Sequence, residues 1–250
     1  MSIDRHFYHF SVDDVFESLI EVSDRKIELF QHPFFRFLKE IHDKFNTHVD
    51  LYLFFQAEIK GEVRTLKEVP NLRKVLKNNP WIRFGPHALD YATGPYTQKP
   101  EEQQRVFESI YGEILRFAGS QNMSRIVRLH FFSESYELAK YFRERGVTAL
   151  FTTDKERIAS RLPEENKKEL VLRGLTKFGG LELIRSQIRI ENFVENLNQP
   201  RKIKELGMAL LEKYGFVIIF THEREISNLD TRNVTLLLIE SLYKAGVSSV

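Results

Sequence analysis

Short runs rich in β-branched and aromatic residues alternate with longer charged segments whose apolar residues recur at helical spacing. A chain written this way builds parallel strands connected by helices, because a doubly covered strand reads as continuously apolar while each covering helix needs only one apolar stripe. The strands are expected at His6–Val12, Val49–Phe55, Trp81–Phe84, Ile126–Phe132, Val147–Phe151, Leu183–Glu191 and Phe216–Thr221. Helices are expected at Val15–Glu21, Pro33–Phe45, Asn71–Asn78, Glu101–Phe117, Ser135–Arg145 with Gly146 as C-cap, Arg201–Tyr214 and Val234–Ala245. The polar stretch Lys155–Gly180 fits neither pattern and reads as an excursion. There are no internal repeats, and 250 residues, 42% of them hydrophobic, suit one α/β barrel domain spanning 1–250.

Composition removes several classes of function. Lysine and arginine (37) nearly balance aspartate and glutamate (35), with no basic block, so nucleic acid is not an expected partner. The absence of cysteine excludes disulfides and thiolate zinc sites, leaving imidazole and carboxylate as the metal ligands available. No run of about 18 apolar residues occurs, which argues against membrane insertion, and no export signal is visible at Met1–His6, so a cytoplasmic location is expected.

The expected strands end on Asp13 and Asp14, Gln56, His87, His130, Asp154, Glu191 and His222. Barrels of alternating strands and helices bring such ends together on one face. Adjacent carboxylates repel unless a proton or cation lies between them, and Asp13–Asp14 supplies that pair. A site built from one carboxylate and two imidazoles requires this inventory. His6, His9, His32, His42 and His48 read as structural, the Phe30–Phe37 aromatic cluster as core, and Trp81 as lying at the opposite end of the barrel.

Four ordered segments carry a resemblance: Ser-Val-Asp-Asp at 11–14, Gly-Pro-His-Ala-Leu-Asp-Tyr at 85–91, Arg-Leu-His at 128–130 and Ile-Ile-Phe-Thr-His at 218–222. Each follows or closes a strand, and together they resemble the motifs of the metal-dependent polysaccharide deacetylase superfamily of carbohydrate esterases. The resemblance spans Phe7 to Glu223 and implies a distorted (β/α)7-type barrel, mostly of parallel strands with outer helices. It makes Asp13 the catalytic base, Asp14 and His87 metal ligands, Arg128 the partner of the base and His222 the general acid. Two departures stand out. Val15 replaces the glycine that usually follows the aspartates, and Tyr91 stands where the second histidine ligand normally lies, four residues after His87. Asp90, on the same side of a helical turn as His87, is the preferred substitute ligand, with His130 the alternative. Arg189, Glu191 and Tyr91 are candidates for lining a sugar site, and Arg128 has a structural alternative in pairing with Glu191 or Asp154.

The expected activity is therefore removal of acetyl groups from an N-acetylated sugar, with one divalent ion, zinc by preference, and a carbohydrate such as a surface-polysaccharide precursor as substrate. Two other readings stay open: a barrel that binds carbohydrate without catalysis, which the Tyr91 departure favours, and a different mononuclear metal amidohydrolase.

Overall fold

The computed structural model describes residues 6–132, 138–154 and 162–250. The parallel strands are β1 (Phe7–Val15), β2 (Val49–Phe54), β5 (Ile82–Ala88), β6 (Ile126–Arg128), β7 (Ala149–Thr152), β9 (Leu181–Arg185), β10 (Ile188–Arg189) and β11 (Phe216–His222). To these are added a hairpin of β3 (Gln56–Ile59) and β4 (Glu62–Thr65), an antiparallel β8 (Leu175–Phe178) beside β9, and a short β12 (Ser248–Ser249) beside β1. The helices are α1 (Glu17–Arg25), α2 (Pro33–Phe45), α3 (Arg73–Lys77), α4 (Pro100–Phe117), α5 (Ala139–Glu144), α6 (Glu164–Arg173), α7 (Pro200–Tyr214) and α8 (Leu229–Lys244).

Strand pairing runs β10-β11-β1-β2-β5 in one sheet and β6-β7-β9-β8 in the other. One segment joins them: Leu181–Arg185 pairs with β7, and two residues later Ile188–Arg189 pairs with β11. The opposite seam is held by a bridge between Phe84 and Met123, by the Ser124 N–H donating to Phe84 O at 2.8 Å, and by the Asn122 side chain donating to Ile82 O at 2.8 Å. With β9 and β10 taken as one bent segment, the result is a distorted barrel of seven mostly parallel strands, as the resemblance implies.

Alternation along β11 separates the inside of that barrel from the outside. Val217 and Ile219 belong to the large core beneath the helices, whereas Phe216 and Ile218 join Tyr52, Ala149, Phe151 and Ile184 in a second cluster drawn from several strands. Outside, helix α2 is anchored by Phe34, Phe35, Phe37, Leu38 and Ile41, and it begins at Pro33, whose missing N–H is no loss at a first helical position. At the amino end of the barrel, buried Asp50 accepts from Ser124 Oγ at 2.9 Å and lies 2.8 Å from His9 Nε2 and 2.5 Å from Arg83 Nε. Burial opposes ionisation of Asp50, but the Arg83 charge and the His9 contact hold its carboxyl below the ordinary value.

Several boundaries differ from expectation. Helix α1 starts at Glu17 because Val15 still pairs with Leu53, and β5 continues through His87 to Ala88. The fourth strand stops at Arg128: residues His130–Phe132 form a 3-10 turn in which Phe131 and Phe132 adopt φ of 52° and 51°, outside extended geometry. The expected sixth strand is split at Ser186-Gln187, where its pairing partner changes. The unassigned polar stretch contains α6 and β8, and its residues 155–161, like residues 135–137 of the expected fifth helix, lie outside the described residues. Among the described residues no helix is long and apolar enough to cross a membrane.

Candidate metal centre and its acid–base partners

Two consecutive aspartates of a regular strand face opposite ways, so a local device must turn Asp13 and Asp14 to the same site. That device is a bulge. Val12 pairs with Leu51 and Val15 with Leu53, so β1 spends one residue more than β2 between the same two pairings, and Asp14 adopts φ 61°. Aspartate is among the few non-glycine residues that accept the left-handed region readily, and the chain then enters α1.

Glu223 fixes that entry. Its buried carboxylate accepts from the backbone N–H groups of Phe16 and Glu17 on one oxygen, at 2.9 and 3.0 Å, and of Ser18 on the other, at 2.8 Å. A carboxylate facing the first N–H groups of a helix is favoured by the helix dipole as well as by the hydrogen bonds. Burial nevertheless pushes its pKa above the usual carboxylate range. Because Glu223 directly follows His222, this cap ties the end of β11 to the loop after the aspartates.

Three ligand atoms converge beside the bulge. Asp14 Oδ1 lies 3.1 Å from His87 Nε2 and 3.3 Å from His130 Nδ1, and the two nitrogens are 3.2 Å apart. Ligands held about 2.0–2.1 Å from a shared tetrahedral ion stand about 3.3 Å from one another. The far side of each ring settles its tautomer: His87 Nδ1 donates to Arg128 O at 2.7 Å, and His130 Nε2 donates to Tyr91 O at 3.0 Å, since a carbonyl only accepts. The inner nitrogens therefore face each other and Asp14 Oδ1, itself a buried oxygen with no hydrogen-bond partner. A positive charge is required at their meeting point, and the donor set of one carboxylate and two backbone-oriented imidazoles fits a divalent metal. The carboxyl of Asp14 responds to the same field: burial works against its ionisation, but the His130 and His87 contacts hold it well below the usual range.

Beside this centre lies Asp13, paired with Arg128 Nη1 at 3.0 Å. Arg128 is fully buried inside the barrel, where it also donates to Ser11 Oγ at 2.7 Å and Ser186 Oγ at 3.1 Å and packs on the rings of Phe220 and Phe151. Its side chain holds Asp13 while its carbonyl orients His87. Across from it, His222 is the register partner of Asp13, and its Nδ1 contacts Glu191 Oε1. Burial alone would lower the His222 pKa, but the Glu191 contact and the charges of Asp13, Glu191 and Asp14 raise it above the ordinary imidazole value.

The structure thus brings together Asp13, Asp14, His87, Arg128, His130, His222 and Glu191. Asp90 stands apart: its carboxylate accepts from the Gln56 side chain at 3.1 Å and from the N–H groups of Ala92 and Thr93 at 3.1 and 2.9 Å, a local turn. Of the two substitutes for the displaced histidine, the geometry favours His130. The sequence does not show that the strand stops at Arg128, so that a turn rather than a strand face carries His130 to the site. Tyr91 contributes its backbone carbonyl while its ring is 57% exposed. Arg189 is paired with Asp154 through two contacts at 3.1 Å, and Arg128 with neither Asp154 nor Glu191. The role of Glu191 as the partner that orients His222 was not legible in the sequence, where 31 residues separate them.

No family profile and no curated protein sequence matches the chain. Solved structures do share its fold. The Bc1960 peptidoglycan N-acetylglucosamine deacetylase superposes with a TM-score of 0.55 at 10% identity, over 98% of this chain and 86% of that one. BA3943, a CE4 family pseudoenzyme from Bacillus anthracis, gives 0.53 at 11%, over 98% and 63%. The 4-alpha-glucanotransferase from Thermococcus litoralis gives 0.54 at 14%, over 98% of this chain but 37% of its own length. The chain has the fold of the polysaccharide deacetylases, and that fold carries more than one chemistry.

Proposed function

We propose that this chain is a metal-dependent hydrolase that removes the acetyl group of an N-acetylated saccharide. The observation that carries the reading is the meeting of Asp14 Oδ1, His87 Nε2 and His130 Nδ1 within 3.1–3.3 Å, beside Asp13 paired with Arg128 and His222 paired with Glu191. A divalent ion held by those three residues, zinc being the expected one, supplies Lewis acidity that polarises an amide carbonyl and lowers the pKa of water.

The remaining chemistry belongs to the chain. Arg128 holds the Asp13 carboxylate in place, so Asp13 is the base that takes a proton from the attacking water. Glu191 keeps His222 protonated to higher pH and aligned, so His222 is the acid that delivers a proton to the amide nitrogen as the C–N bond breaks. Acetate and a free amine leave, and Asp13 and His222 exchange their protons with solvent to restore the starting state. Arg128 and Glu191 do not touch the reacting atoms; each positions the group that does.

Incubation of the zinc-loaded protein with N-acetylated oligosaccharides tests the reading directly. Release of acetate, lost after chelation and restored by one equivalent of zinc, is the expected result; a protein that takes up zinc but frees no acetate is instead a non-catalytic saccharide-binding barrel. Loss of catalysis has a precedent on the same fold in the BA3943 pseudoenzyme.

A further inference from the structure

The cleft leading to Asp14 is lined on one side by the β3–β4 hairpin and on the other by the turn carrying Asp90 and Tyr91, and it encloses about 540 Å³. Its charges are lopsided. The acids Asp14, Glu17, Glu58 and Asp90 line it, with Glu223, whose carboxylate is committed to the α1 cap, against one guanidinium, that of Arg224, which itself faces Glu225 at 3.1 Å. A divalent ion at Asp14 offsets two of those charges and Arg224 a third, so the cleft remains negative. Not all of the acids are equal: Asp90 is tied into its turn and Glu223 into the cap of α1, whereas Glu17 and Glu58 are exposed and form no ion pair among the described residues. The exposed Tyr91 ring, at 57%, and Val63, at 65%, add apolar surface to the same walls, suited to the carbon face of a pyranose.

We infer that this cleft selects a saccharide carrying a free amine next to the N-acetylated ring, a partly deacetylated chain, and discriminates against sugars carried on a diphosphate. The inference rests on the deacetylase reading and deepens it. An ammonium group in a walled cleft with excess negative charge is attracted from several sides, while a diphosphate meets the same field with the opposite sign. Discrimination of this kind works by repelling the wrong ligand as much as by holding the right one. It also gives the reaction a direction: each acetyl removed creates an ammonium, so a chain once acted on becomes a better ligand for the neighbouring ring.

Calorimetric binding to the zinc-loaded full chain tests this without relying on turnover. The probes are an N-acetylglucosamine tetramer with one glucosamine unit, the fully acetylated tetramer, and uridine-diphosphate N-acetylglucosamine. Near 0.01 M salt the amine-bearing tetramer should bind about tenfold tighter than the fully acetylated one, the diphosphate weakest of the three, and the tenfold gap should shrink toward nothing near 1 M salt. In the E17Q/E58Q variant the gap should narrow to about twofold at low salt. Equal affinities for the two tetramers, or tightest binding of the diphosphate, overturns the inference even if acetate is released. The stated order of binding with no acetate from any probe leaves the charge selection standing and refutes the deacetylase chemistry. If none of the probes binds, both fall.

Discussion

At the scale of single residues the proposed function gives the two aspartates separable duties. Asp13→Asn removes the base but leaves the ligand atoms alone, so full zinc content with turnover reduced by about 10²–10⁴ is expected, whereas Asp14→Asn should lose the ion. Equal zinc content in the two variants would reverse the assignment. His130→Ala should likewise lose zinc in elemental analysis, and Asp90→Ala should retain it, because Asp90 is committed to backbone N–H groups two and three residues ahead. In the proposed reaction the acid limb belongs to the His222–Glu191 pair. With its pKa raised in the folded protein, His222 stays protonated to higher pH than an ordinary imidazole allows, and the proposed activity should extend to the same higher pH. Glu191→Gln removes the charge that does much of this, so the descending alkaline limb of the kcat profile should move to lower pH; an unmoved limb would assign the acid elsewhere. The types and strand-end positions of these residues were legible in the sequence, since chemistry sits where strands end. The pairings His222–Glu191 and His87–Arg128 O were not, because they join residues distant in the chain.

Among the elements, the strands and helices whose apolar period is long and unbroken were readable, α2 to the residue and α4 and α7 within one residue of their starts. What escaped reading was decided by pairing partners. The β3–β4 hairpin is short and half exposed, β9–β10 divides only because its neighbour changes from β7 to β11, and the bulge at Asp14 leaves no mark in the hydrophobic pattern. The α1 cap is another long-range feature of this kind. Glu223→Ala leaves three backbone donors in a buried setting, which should destabilise the fold by about 2 kcal/mol in urea unfolding, with Glu223→Gln closer to the parent. A loss of a few tenths would mean that water replaces the carboxylate, and that the loop after Asp14 is held by other contacts.

For the molecule as a whole, the barrel interior is a polar column at both ends with aromatic and aliphatic side chains between. One end gathers the proposed metal centre; at the other, buried Asp50 joins His9 and Arg83. Asp50→Ala strands the Arg83 charge and the His9 ring, and a loss of about 3–5 kcal/mol is expected by chemical denaturation, with zinc binding intact in the molecules that remain folded. Binding of zinc should in turn raise the unfolding midpoint in proportion to the logarithm of free metal, since the three ligands come from β1, β5 and the turn after β6 and meet only in the native state. Seen at this scale, Ser186 occupies an unusual position. It stands at the crossing where one segment leaves the company of β7 for that of β11, and its hydroxyl is the last support of the Arg128 guanidinium. Breathing of the barrel along that crossing would thus reach the proposed base through the side chain of Arg128 and the proposed metal centre through its carbonyl, so that a slackened wall disarms both at once.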